Sequence, residues 1–431
     1  MSYKVLIIGG AGGMGRWCAK LFKRMDFDVS ISSRRDVADV AKSLGVGVSS
    51  GMKAGDFDIV VLSVPIDTID SISADIAPFM KPGSLLMDLS SLKKEPMESM
   101  TGHTSPEVEV LGAHPLFGPE IDDMTGYTIV LVPSERCKKW FPIIHDTFEK
   151  AGANIEVTTA DDHDQKMAIV QGLTHFVYIA LGRAYERIGI NMKTLDGFAT
   201  PVYRITKDFT GRVLSQDPRM YALIQSGKDV VQARSEFIIA CSELESDIMK
   251  GDIDEFVRTL ESATKHYGDT AVARKRTQRI IERSREEERF IRNSVGTEQA
   301  FAIEGEKAPV YGIIKEASGD RFVLDTPSRL LDLSYDEVTL LSGEELKDAK
   351  AKTAPRISRY VTVKLARGAN AKMLKWVLKR IDGVAEVRDE KSEATDTPDI
   401  YRFTLEVYSD DSEKTLKNVL DTIWGLGYEV K

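Results

Sequence analysis

The chain has 431 residues, enough for two to four domains, and its 42% hydrophobic and 29% charged residues are usual for soluble globular proteins. The formal net charge of -9 argues against a general nucleic-acid binder, because neutralising phosphates requires a basic face. No apolar run approaches the ~20 residues of a membrane helix, so a membrane-spanning protein is not expected.

Three cysteines, Cys18, Cys137 and Cys241, lie far apart without Cys-x-x-Cys spacing, which excludes a disulfide framework and a cysteine-rich zinc site. No histidine–carboxylate cluster has the spacing of metal ligands, and we expect no metal. The first strand-like run begins at Lys4, close to the first residue. We therefore expect no signal peptide and a cytoplasmic, reducing location.

Residues 1–155 alternate short apolar runs with helix-like stretches such as Trp17–Met25 and Val37–Leu44. The apolar runs are KVLIIG, DVSISS, DIVVLSV, SLLMDLS, VEVLGAH and YTIVLVP. Short apolar runs bounded by turn residues are typical of buried strands. The alternation predicts an α/β domain with a doubly wound parallel sheet and helices on both faces.

Strand signals nearly vanish between residues 156 and 297, where long helical patterns dominate. We expect an all-helical second domain there. It ends in RKRTQRIIERSREEERFIRNS, whose alternating charges are typical of a solvated helix and favour that interpretation over a binding tail.

Short strand-like runs return over residues 298–352, which we interpret as a β-rich connector, and the polarity of Lys347–Lys352 predicts a linker. The last part, residues 353–431, follows the order βαββαβ. That order predicts a small α+β domain of the ferredoxin-like kind.

The opening stretch KVLIIGGAGGMGR places glycines directly after a strand and directly before a helical pattern. Gly10, Gly12 and Gly15 form the spacing G-x-G-x-x-G, with Met14 inside the loop. In this context the glycines serve a tight turn, close approach of the backbone to a diphosphate, and helix–strand packing. The helix N-terminus offers free N–H groups to the same diphosphate. The loop predicts a Rossmann-type dinucleotide-binding domain over residues 1–155.

The end of the second strand distinguishes the two nicotinamide cofactors. NAD-binding domains place an acidic residue about 20 residues after the loop to hold the ribose 2′-OH. Here Ser33, Arg34 and Arg35 come first and Asp36 follows. Guanidinium pairs bidentately with phosphate, so we expect NADP, with NAD as the alternative if Asp36 turns inward and a merely solvated loop as the other interpretation. The residues expected to contact the cofactor are Gly10, Gly12, Met14, Gly15, Ser33, Arg34, Arg35, Val64 and Pro65.

Two further motifs follow apolar strands and are expected at the carboxyl edge of the sheet: DLSSLK at Asp88–Lys93 and HPLFGP at His114–Pro119. A histidine there can accept the proton of an alcohol while hydride leaves to the cofactor, and a nearby serine can orient the hydroxyl. The helical region adds QGLTHF at Gln171–Phe176 and a block that carries Arg204 and Arg212.

In this order, the motifs resemble those of the prephenate dehydrogenases of tyrosine biosynthesis. The resemblance runs from Lys4 to about residue 290 and includes GGAGGMGR, LSVP, DLSSLK, HPLFGP, QGLTHF and the YRI…GRVLSQDP block. It implies a Rossmann-type domain and a helical domain that forms a homodimer. It also implies oxidative decarboxylation of prephenate to 4-hydroxyphenylpyruvate with hydride transfer to NAD(P).

The resemblance also implies roles for single residues. His114 would be the catalytic base on the ring hydroxyl, Ser91 its hydrogen-bonding neighbour, and Arg212 the group that holds a substrate carboxylate. His175 would line the substrate site, although a core histidine on an amphipathic helix explains it about equally well. His163–Asp164 is interpreted as a structural pair at a helix start, where an aspartate is electrostatically favoured.

Several alternatives stay open. Prephenate and arogenate differ only in a keto or amino group on the side arm, and nothing in the sequence distinguishes them. A 3-hydroxyacid-type dehydrogenase of similar build, with Lys166 as its lysine, is one alternative, and a non-catalytic NADP-binding sensor is another. The βαββαβ domain suits an ACT-type regulatory module with tyrosine as effector, but a dimerisation or packing role is equally plausible.

Overall fold

The computed structural model of the chain describes residues 2–303, 305–365, 369–391, 400–409 and 412–430. Its residues group into two compact units, 1–266 and 267–431. This division falls between residues 266 and 267 and does not test the domain boundaries expected at residues 155, 297 and 352. Those boundaries stay predictions. Among the helices of the described ranges, none is long and apolar enough to cross a membrane.

The first unit is built on an eight-stranded sheet. Its strands are β1 (Lys4–Ile8), β2 (Asp28–Ser32), β3 (Gly47–Val48), β4 (Ile59–Leu62), β5 (Leu85–Asp88), β6 (Glu109–Pro115), β7 (Thr128–Pro133) and β8 (Asn154–Val157). Their order in the sheet is β3-β2-β1-β4-β5-β6-β7-β8. Every residue of β4 and β5 is buried, because helices cover both faces of the sheet.

The helices on the two faces are α1 (Gly13–Arg24), α2 (Ala38–Leu44), α3 (Ile69–Ile76), α4 (Lys94–His103) and α5 (Trp140–Lys150). Phe22 of α1 and Trp140 of α5 belong to the core on one face. Ile76 of α3 and Met100 of α4 belong to a separate core on the other face. The predicted Rossmann-type, doubly wound fold is confirmed.

The sheet is parallel except at one pair of strands. β7 runs antiparallel to β6, with His114 opposite Val130 and Pro115 opposite Ile129. The intervening residues 116–127 contain no helix. A parallel return needs a crossover connection, usually a helix, and this short irregular segment instead reverses the chain. The sheet is therefore mixed at this edge.

The chain continues into helices α6 (Ala160–Met167), α7 (Thr174–Ile188), α8 (Pro201–Leu214), α9 (Pro218–Gln225), α10 (Lys228–Lys250) and α11 (Ile253–Tyr267). A π-helical segment, Ala168–Leu173, joins α6 to α7. Of the residues that make up α7 and α11, none is fully buried. Apolar side chains such as Ile253, which is 74% exposed, lie open on these helices. One chain alone thus leaves much apolar surface of this region uncovered.

The second unit begins with the long helix α12 (Thr270–Asn293) and an antiparallel sheet. Its strands are β9 (Glu298–Ile303), β10 (Val310–Ser318), β11 (Arg321–Asp325), β12 (Leu330–Ser334) and β13 (Val338–Leu341), in the order β12-β11-β10-β9-β13. Ile291 of α12 is fully buried in the core of this sheet. The charged helix that the sequence grouped with the helical domain therefore packs within the second unit.

Helix α13 (Glu344–Thr353) occupies the stretch where the sequence predicted a linker. Its Ala349 is buried with Ala300 of β9 and Tyr311 of β10. The linker prediction for Lys347–Lys352 was wrong, because these polar residues cover the exposed face of a helix whose other face packs on the sheet.

The chain ends in a second small domain. Its elements are β14 (Arg356–Lys364), α14 (Ala371–Leu378), β15 (Val384–Lys391), β16 (Ile400–Tyr408), α15 (Ser412–Gly425) and β17 (Glu429–Val430). The sheet order is β15-β16-β14-β17, and each pair is antiparallel. Leu374 and Ile423 from the two helices join Val363 and Phe403 in one core. The βαββαβ prediction is confirmed.

Candidate active site

The glycine loop between β1 and α1 is too tight for side chains at three positions. Gly9 has a φ of 88°, and a Cβ on it would lie 2.0 Å from the carbonyl oxygen of Ser63. A Cβ on Gly10 would lie 2.5 Å from Cβ of Ile31, and one on Gly15 would lie 2.4 Å from the Gly9 oxygen. The sequence motif named Gly10 and Gly15 but missed Gly9, whose left-handed φ favours glycine.

Gly12 is less crowded than these three, although a side chain there would still fit tightly. The nearest atom to a Cβ there would be the Gly9 oxygen, at 3.3 Å. Gly12 is also the N-cap of α1, where no side chain caps the first N–H groups, and Met14 lies in the first turn. Uncapped N–H groups at a helix N-terminus, reached through a glycine backbone, fit a diphosphate. The loop therefore meets the requirements of a dinucleotide.

The residues after β2 are those expected to distinguish the two nicotinamide cofactors. Ser33 is half-buried, and Arg34 and Arg35 are exposed. The Asp36 carboxylate accepts a 2.9 Å hydrogen bond from the N–H of Ala38 at the start of α2. The acidic group that would select NAD thus has another partner, whereas both guanidinium groups are open to solvent.

Segments that follow β4 and β6 lie against the glycine loop. A Cβ on Gly9 would approach Cγ1 of Val64 to 3.0 Å, and one on Gly13 would lie 2.8 Å from Cγ of Pro119. Phe117 packs edge-on against Trp17 of α1, with ring centroids 5.2 Å apart. The HPLFGP motif thus packs against the start of α1. Pro65 is exposed at the start of the turn Ile66–Thr68.

His114 lies on β6 near its carboxyl end and is only 3% exposed. Its Nδ1 is 3.0 Å from Nε2 of His163, a buried residue of α6. Nδ1 of His163 is in turn 2.6 Å from Oδ1 of Asp164. Three side chains from a strand and a helix therefore form one hydrogen-bonded chain.

Asp164 also receives two backbone donors from the start of α4. The N–H of Lys93 donates to Oδ1 at 2.8 Å, and the N–H of Lys94 donates to Oδ2 at 3.0 Å. Burial by itself raises the pKa of Asp164, but the hydrogen bonds from His163, Lys94 and Lys93 outweigh burial and lower that pKa below its ordinary value. Asp164 is therefore ionised at neutral pH.

Burial lowers the pKa of His114 well below its ordinary value, and the positive charge of Lys93 acts in the same direction. An imidazole with a low pKa is uncharged at neutral pH and has a free nitrogen lone pair. Such a group can accept the proton of an alcohol.

A buried ion pair lies under the loop that follows β5. Nζ of Lys93 is 2.6 Å from Oδ2 of Asp88, and neither side chain is exposed. The same oxygen accepts a 2.8 Å hydrogen bond from the N–H of Ser90. Burial lowers the pKa of Lys93, and the attraction of Asp88 opposes that change. The DLSSLK motif is explained largely by this pair, which holds the loop in place.

Ser91 is half-buried in the same loop. Within the ranges that the structure describes, it makes no hydrogen bond to His114, whose Nδ1 is engaged by His163. The hydrogen-bonding neighbour of His114 is thus His163, and the role that the resemblance gave to Ser91 stays a proposal.

His175 of α7, Tyr221 of α9 and Arg212 of α8 lie near one another. The rings of His175 and Tyr221 meet edge-on, with centroids 4.7 Å apart. Burial raises the pKa of Tyr221, and the nearby Arg212 charge opposes that rise. Arg212 is exposed and lines a groove of about 590 Å³ formed by α7, α8 and the turn after α7.

Two buried polar atoms of the QGLTHF motif have no hydrogen-bond partner in the described part of the chain. They are Oε1 of Gln171, on the π-helical segment, and Nδ1 of His175, in the first turn of α7. Burial lowers the pKa of His175, which keeps the ring neutral. Buried polar groups without partners are costly unless a ligand pairs with them, and π-helical segments are frequent at functional sites. These features are typical of a ligand site.

Contacts at the carboxyl edge join the helices to the sheet. Arg219 at the start of α9 pairs with Asp67, in the turn after β4, at 2.7 Å. Gly227, the N-cap of α10, faces Leu92 in the loop after β5. Helix α9 carries Tyr221, whose ring contacts that of His175. These contacts thus bring Tyr221 and His175 to the same edge of the sheet as His114.

Sequence reasoning missed the contact between His114 and the pair His163–Asp164. Its only local signal is a histidine beside an aspartate just after the last strand of the sheet, and that pattern is also typical of a helix start. The described residues further include one surface group on α5 with metal-ligand spacing, His145, Asp146 and Glu149, whose ligand atoms lie within 4.8 Å of one another. The expectation of no metal stays a prediction.

Two models of one protein family match the chain. The prephenate dehydrogenase nucleotide-binding domain matches residues 18–157, and the prephenate dehydrogenase dimerization domain matches residues 159–262. Together they cover more than half of the 431 residues.

Individual relatives agree with this match. The probable arogenate/prephenate dehydrogenase of Methanocaldococcus jannaschii is 29% identical over 389 residues, which are 88% of this chain and 86% of that protein. The T-protein of Haemophilus influenzae is 32% identical over 240 residues, 54% of this chain and 57% of that protein. A crystal structure of Aquifex aeolicus prephenate dehydrogenase with hydroxyphenyl propionate and NAD+ has a TM-score of 0.50 at 23% identity, covering 61% of this chain and 96% of that one. The last likeness concerns the fold alone.

The fold, the glycine loop and the matched nucleotide-binding model define an oxidoreductase of the NAD(P)-dependent dehydrogenase class. Within that class, the chain belongs to the prephenate dehydrogenase family, in which arogenate dehydrogenases are also found. A 3-hydroxyacid-type dehydrogenase and a non-catalytic sensor do not agree with this membership.

Proposed function

We propose that the protein catalyses the oxidative decarboxylation of prephenate to 4-hydroxyphenylpyruvate, with arogenate as the alternative substrate and tyrosine as its product. The observation that carries this proposal is His114, a buried and uncharged imidazole at the carboxyl edge of the sheet. The segment directly after it packs on the start of α1, beside the glycine loop. A base is thus available next to the cofactor-binding region.

The substrate ring carries a hydroxyl opposite a quaternary carbon that bears a carboxylate. His114 would take the hydroxyl proton, and a nicotinamide cofactor, when bound at the glycine loop, would supply the acceptor for the hydride on the same carbon. The bond from the ring to the carboxylate then breaks, carbon dioxide leaves, and its electron pair moves to the ring oxygen. That oxygen takes the proton back from His114, so the reaction releases no proton overall. Orientation, a base and a charged clamp are what the protein supplies.

For the substrate we assign Arg212 to a carboxylate and His175 to the wall of the site, with Ser91 beside the hydroxyl. The support for Arg212 is an exposed guanidinium near Tyr221 and His175. The support for His175 is its buried Nδ1, which has no protein partner in the described part of the chain. Guanidinium pairs strongly with carboxylate, so loss of Arg212 should chiefly raise KM.

For the cofactor we propose NADP, with NAD as the alternative. The support is the pair of exposed arginines, Arg34 and Arg35, together with the engagement of Asp36 at the start of α2. We further propose a homodimer through the helical region and tyrosine binding by the C-terminal βαββαβ domain. The latter rests on analogy of fold, and a packing role is the alternative.

The first experiment measures steady-state rates for prephenate and arogenate, each with NAD and NADP, in wild type and in His114→Asn. We expect one combination of substrate and cofactor to be preferred. For that combination, His114→Asn should lower kcat roughly 10²-fold or more with little change in the KM of the cofactor. His103→Asn, an exposed histidine of α4, is the control and should keep the wild-type rate. Wild-type turnover by His114→Asn, or no turnover of any pair, would contradict the proposal.

A further inference from the structure

The hydrogen-bonded chain that starts at His114 is longer than a simple base requires. A single buried imidazole could accept a proton alone, yet His114 contacts His163, and His163 contacts Asp164. His163 is 1% exposed and Asp164 is 6% exposed, so solvent does not compete for these hydrogen bonds. In such a closed chain the carboxylate at one end determines where every proton lies.

The positions of the protons follow from the carboxylate. Ionised Asp164 can only accept hydrogen bonds, so Nδ1 of His163 must donate to it. We take His163 as the neutral imidazole, whose single N–H is used toward Asp164, so its Nε2 accepts. Nδ1 of His114 must then donate to that Nε2, which leaves Nε2 of His114 without a hydrogen. This nitrogen has no hydrogen-bond partner among the described residues and is free to take a proton from a substrate.

We propose that His163 and Asp164 are positioning residues: they hold His114 in the tautomer with a free Nε2, and they stabilise the imidazolium that forms when His114 takes the substrate proton. The proposal rests on the proposed function, since the reaction is what forms that imidazolium. It also replaces the earlier interpretation of the pair as only a helix-start feature.

The charges around His114 explain why a counter-charge is needed. Lys93 is a fully buried ammonium group, and although Asp88 pairs with it, its charge disfavours a second positive charge on His114. A carboxylate two hydrogen bonds away lowers that cost. Asp164 is the carboxylate that contacts His163 directly, and His114 through it. Other charged groups on or near α4 and α6 include the pairs Asp161–Lys94 and Asp162–Lys166, Asp229 of α10 close to Lys94, and Glu95 and Glu98 of α4.

The rival explanation is that Asp164 serves only to cap α4. Its two hydrogen bonds from the N–H groups of Lys93 and Lys94 are those of a capping carboxylate. A cap alone would affect stability, but it would not determine the tautomer of His114 or the pH dependence of the rate.

The experiment compares wild type, Asp164→Asn and the control Asp162→Asn in the full chain labelled with ¹⁵N at its six histidines. Asp162 lies on the same helix but pairs with Lys166 at the surface. Nitrogen chemical shifts report which ring nitrogen carries hydrogen. We expect His114 to be protonated at Nδ1 in wild type and in the control, and to gain the Nε2–H form in Asp164→Asn. This measurement needs neither substrate nor cofactor, so it can fail or succeed separately from the proposed function.

Kinetics complete the test. Asp164→Asn should lower kcat roughly 10²-fold or more. It should also move the acid limb of the kcat–pH profile to lower pH, because a lost negative charge makes His114 harder to protonate. His163→Gln keeps an acceptor for His114, so it should retain more activity than His163→Leu, and this comparison answers the question if Asp164→Asn does not fold. An unchanged tautomer with an unchanged pH profile in Asp164→Asn, or equal rates for the two His163 variants, would overturn the proposal.

Discussion

Lys93 illustrates how a single side chain depends on one partner. Its ammonium group is fully buried, and its closest partner is Oδ2 of Asp88, at 2.6 Å. Removing the carboxylate leaves a buried charge without its counter-ion, which is far more costly than replacing both groups by apolar ones. An uncharged side chain at residue 88 would therefore be tolerated best together with an uncharged side chain at residue 93.

We predict that Asp88→Asn lowers the free energy of unfolding by about 3–5 kcal/mol, as measured by chemical denaturation. The double variant Asp88→Asn with Lys93→Met should recover much of this loss. The control is Asp161→Asn, which breaks the half-exposed pair with Lys94 and should cost about 1 kcal/mol or less. Equal losses of unfolding free energy for Asp88→Asn and the control would show that the buried pair stabilises the protein no more than an exposed pair does.

The glycine loop shows that one short element can contain positions with opposite requirements. Gly15 packs so closely that a Cβ would lie 2.4 Å from the Gly9 oxygen, whereas a Cβ on Gly12 would lie 3.3 Å from the same oxygen. The backbone of Gly12, with φ of -72° and ψ of 166°, is one that alanine adopts without strain. The structure itself thus requires one glycine, and the expected ligand requires the other.

We predict that Gly12→Ala lowers the free energy of unfolding by about 1 kcal/mol or less but weakens dinucleotide binding at least tenfold, because the methyl group occupies the space beside the helix N-terminus. Gly15→Ala should instead lower stability by about 1–3 kcal/mol through overpacking. Thermal denaturation without cofactor and calorimetric titration with NADP measure the two effects. A Gly12→Ala protein that binds NADP as tightly as wild type would mean that the diphosphate does not approach this residue.

The exposed apolar surface of the helical region bears on whether the protein is an oligomer. Ile253, Val257 and Leu260 repeat at the spacing of one helix face of α11, and they are 74%, 44% and 57% exposed. A stripe of this kind is costly in water and is typical of a protein–protein contact. The matched dimerization model covers these residues.

We predict a species of twice the 47.9 kDa chain mass in sedimentation experiments. The double variant Ile253→Asp with Leu260→Asp should weaken the dimer roughly 10²-fold or more, because each side chain would contribute at least about 1.4 kcal/mol to the contact. The chain should remain folded, since these side chains are exposed within one copy. Met52→Asp, at an equally exposed apolar residue outside the helical region, is the control. A double variant that stays dimeric would exclude α11 from the interface.

Local patterns in the sequence were sufficient for most of the elements of both units. The apolar runs from Lys4 onward became β1, β2, β4, β5, β6 and β7, because a strand covered on both faces must be short and apolar. The βαββαβ order at the C-terminus was likewise readable, since helix and strand periodicities differ. The spacing of Gly10, Gly12 and Gly15 predicted the loop, because its geometry depends on neighbouring residues only.

Contacts between distant residues could not be obtained in this way. His114 and His163 are 49 positions apart, and no local pattern links a strand residue to a helix start. The reversal of β7, the packing of α12 on the β-sheet of the second unit, and the helix in place of the linker at Lys347–Lys352 likewise depend on what each segment meets in space. Sequence periodicity reports which face of an element is apolar, but it does not report which surface covers that face. The sequence alone therefore determined the elements and the glycine loop, and the packing of those elements determined the neighbours of His114.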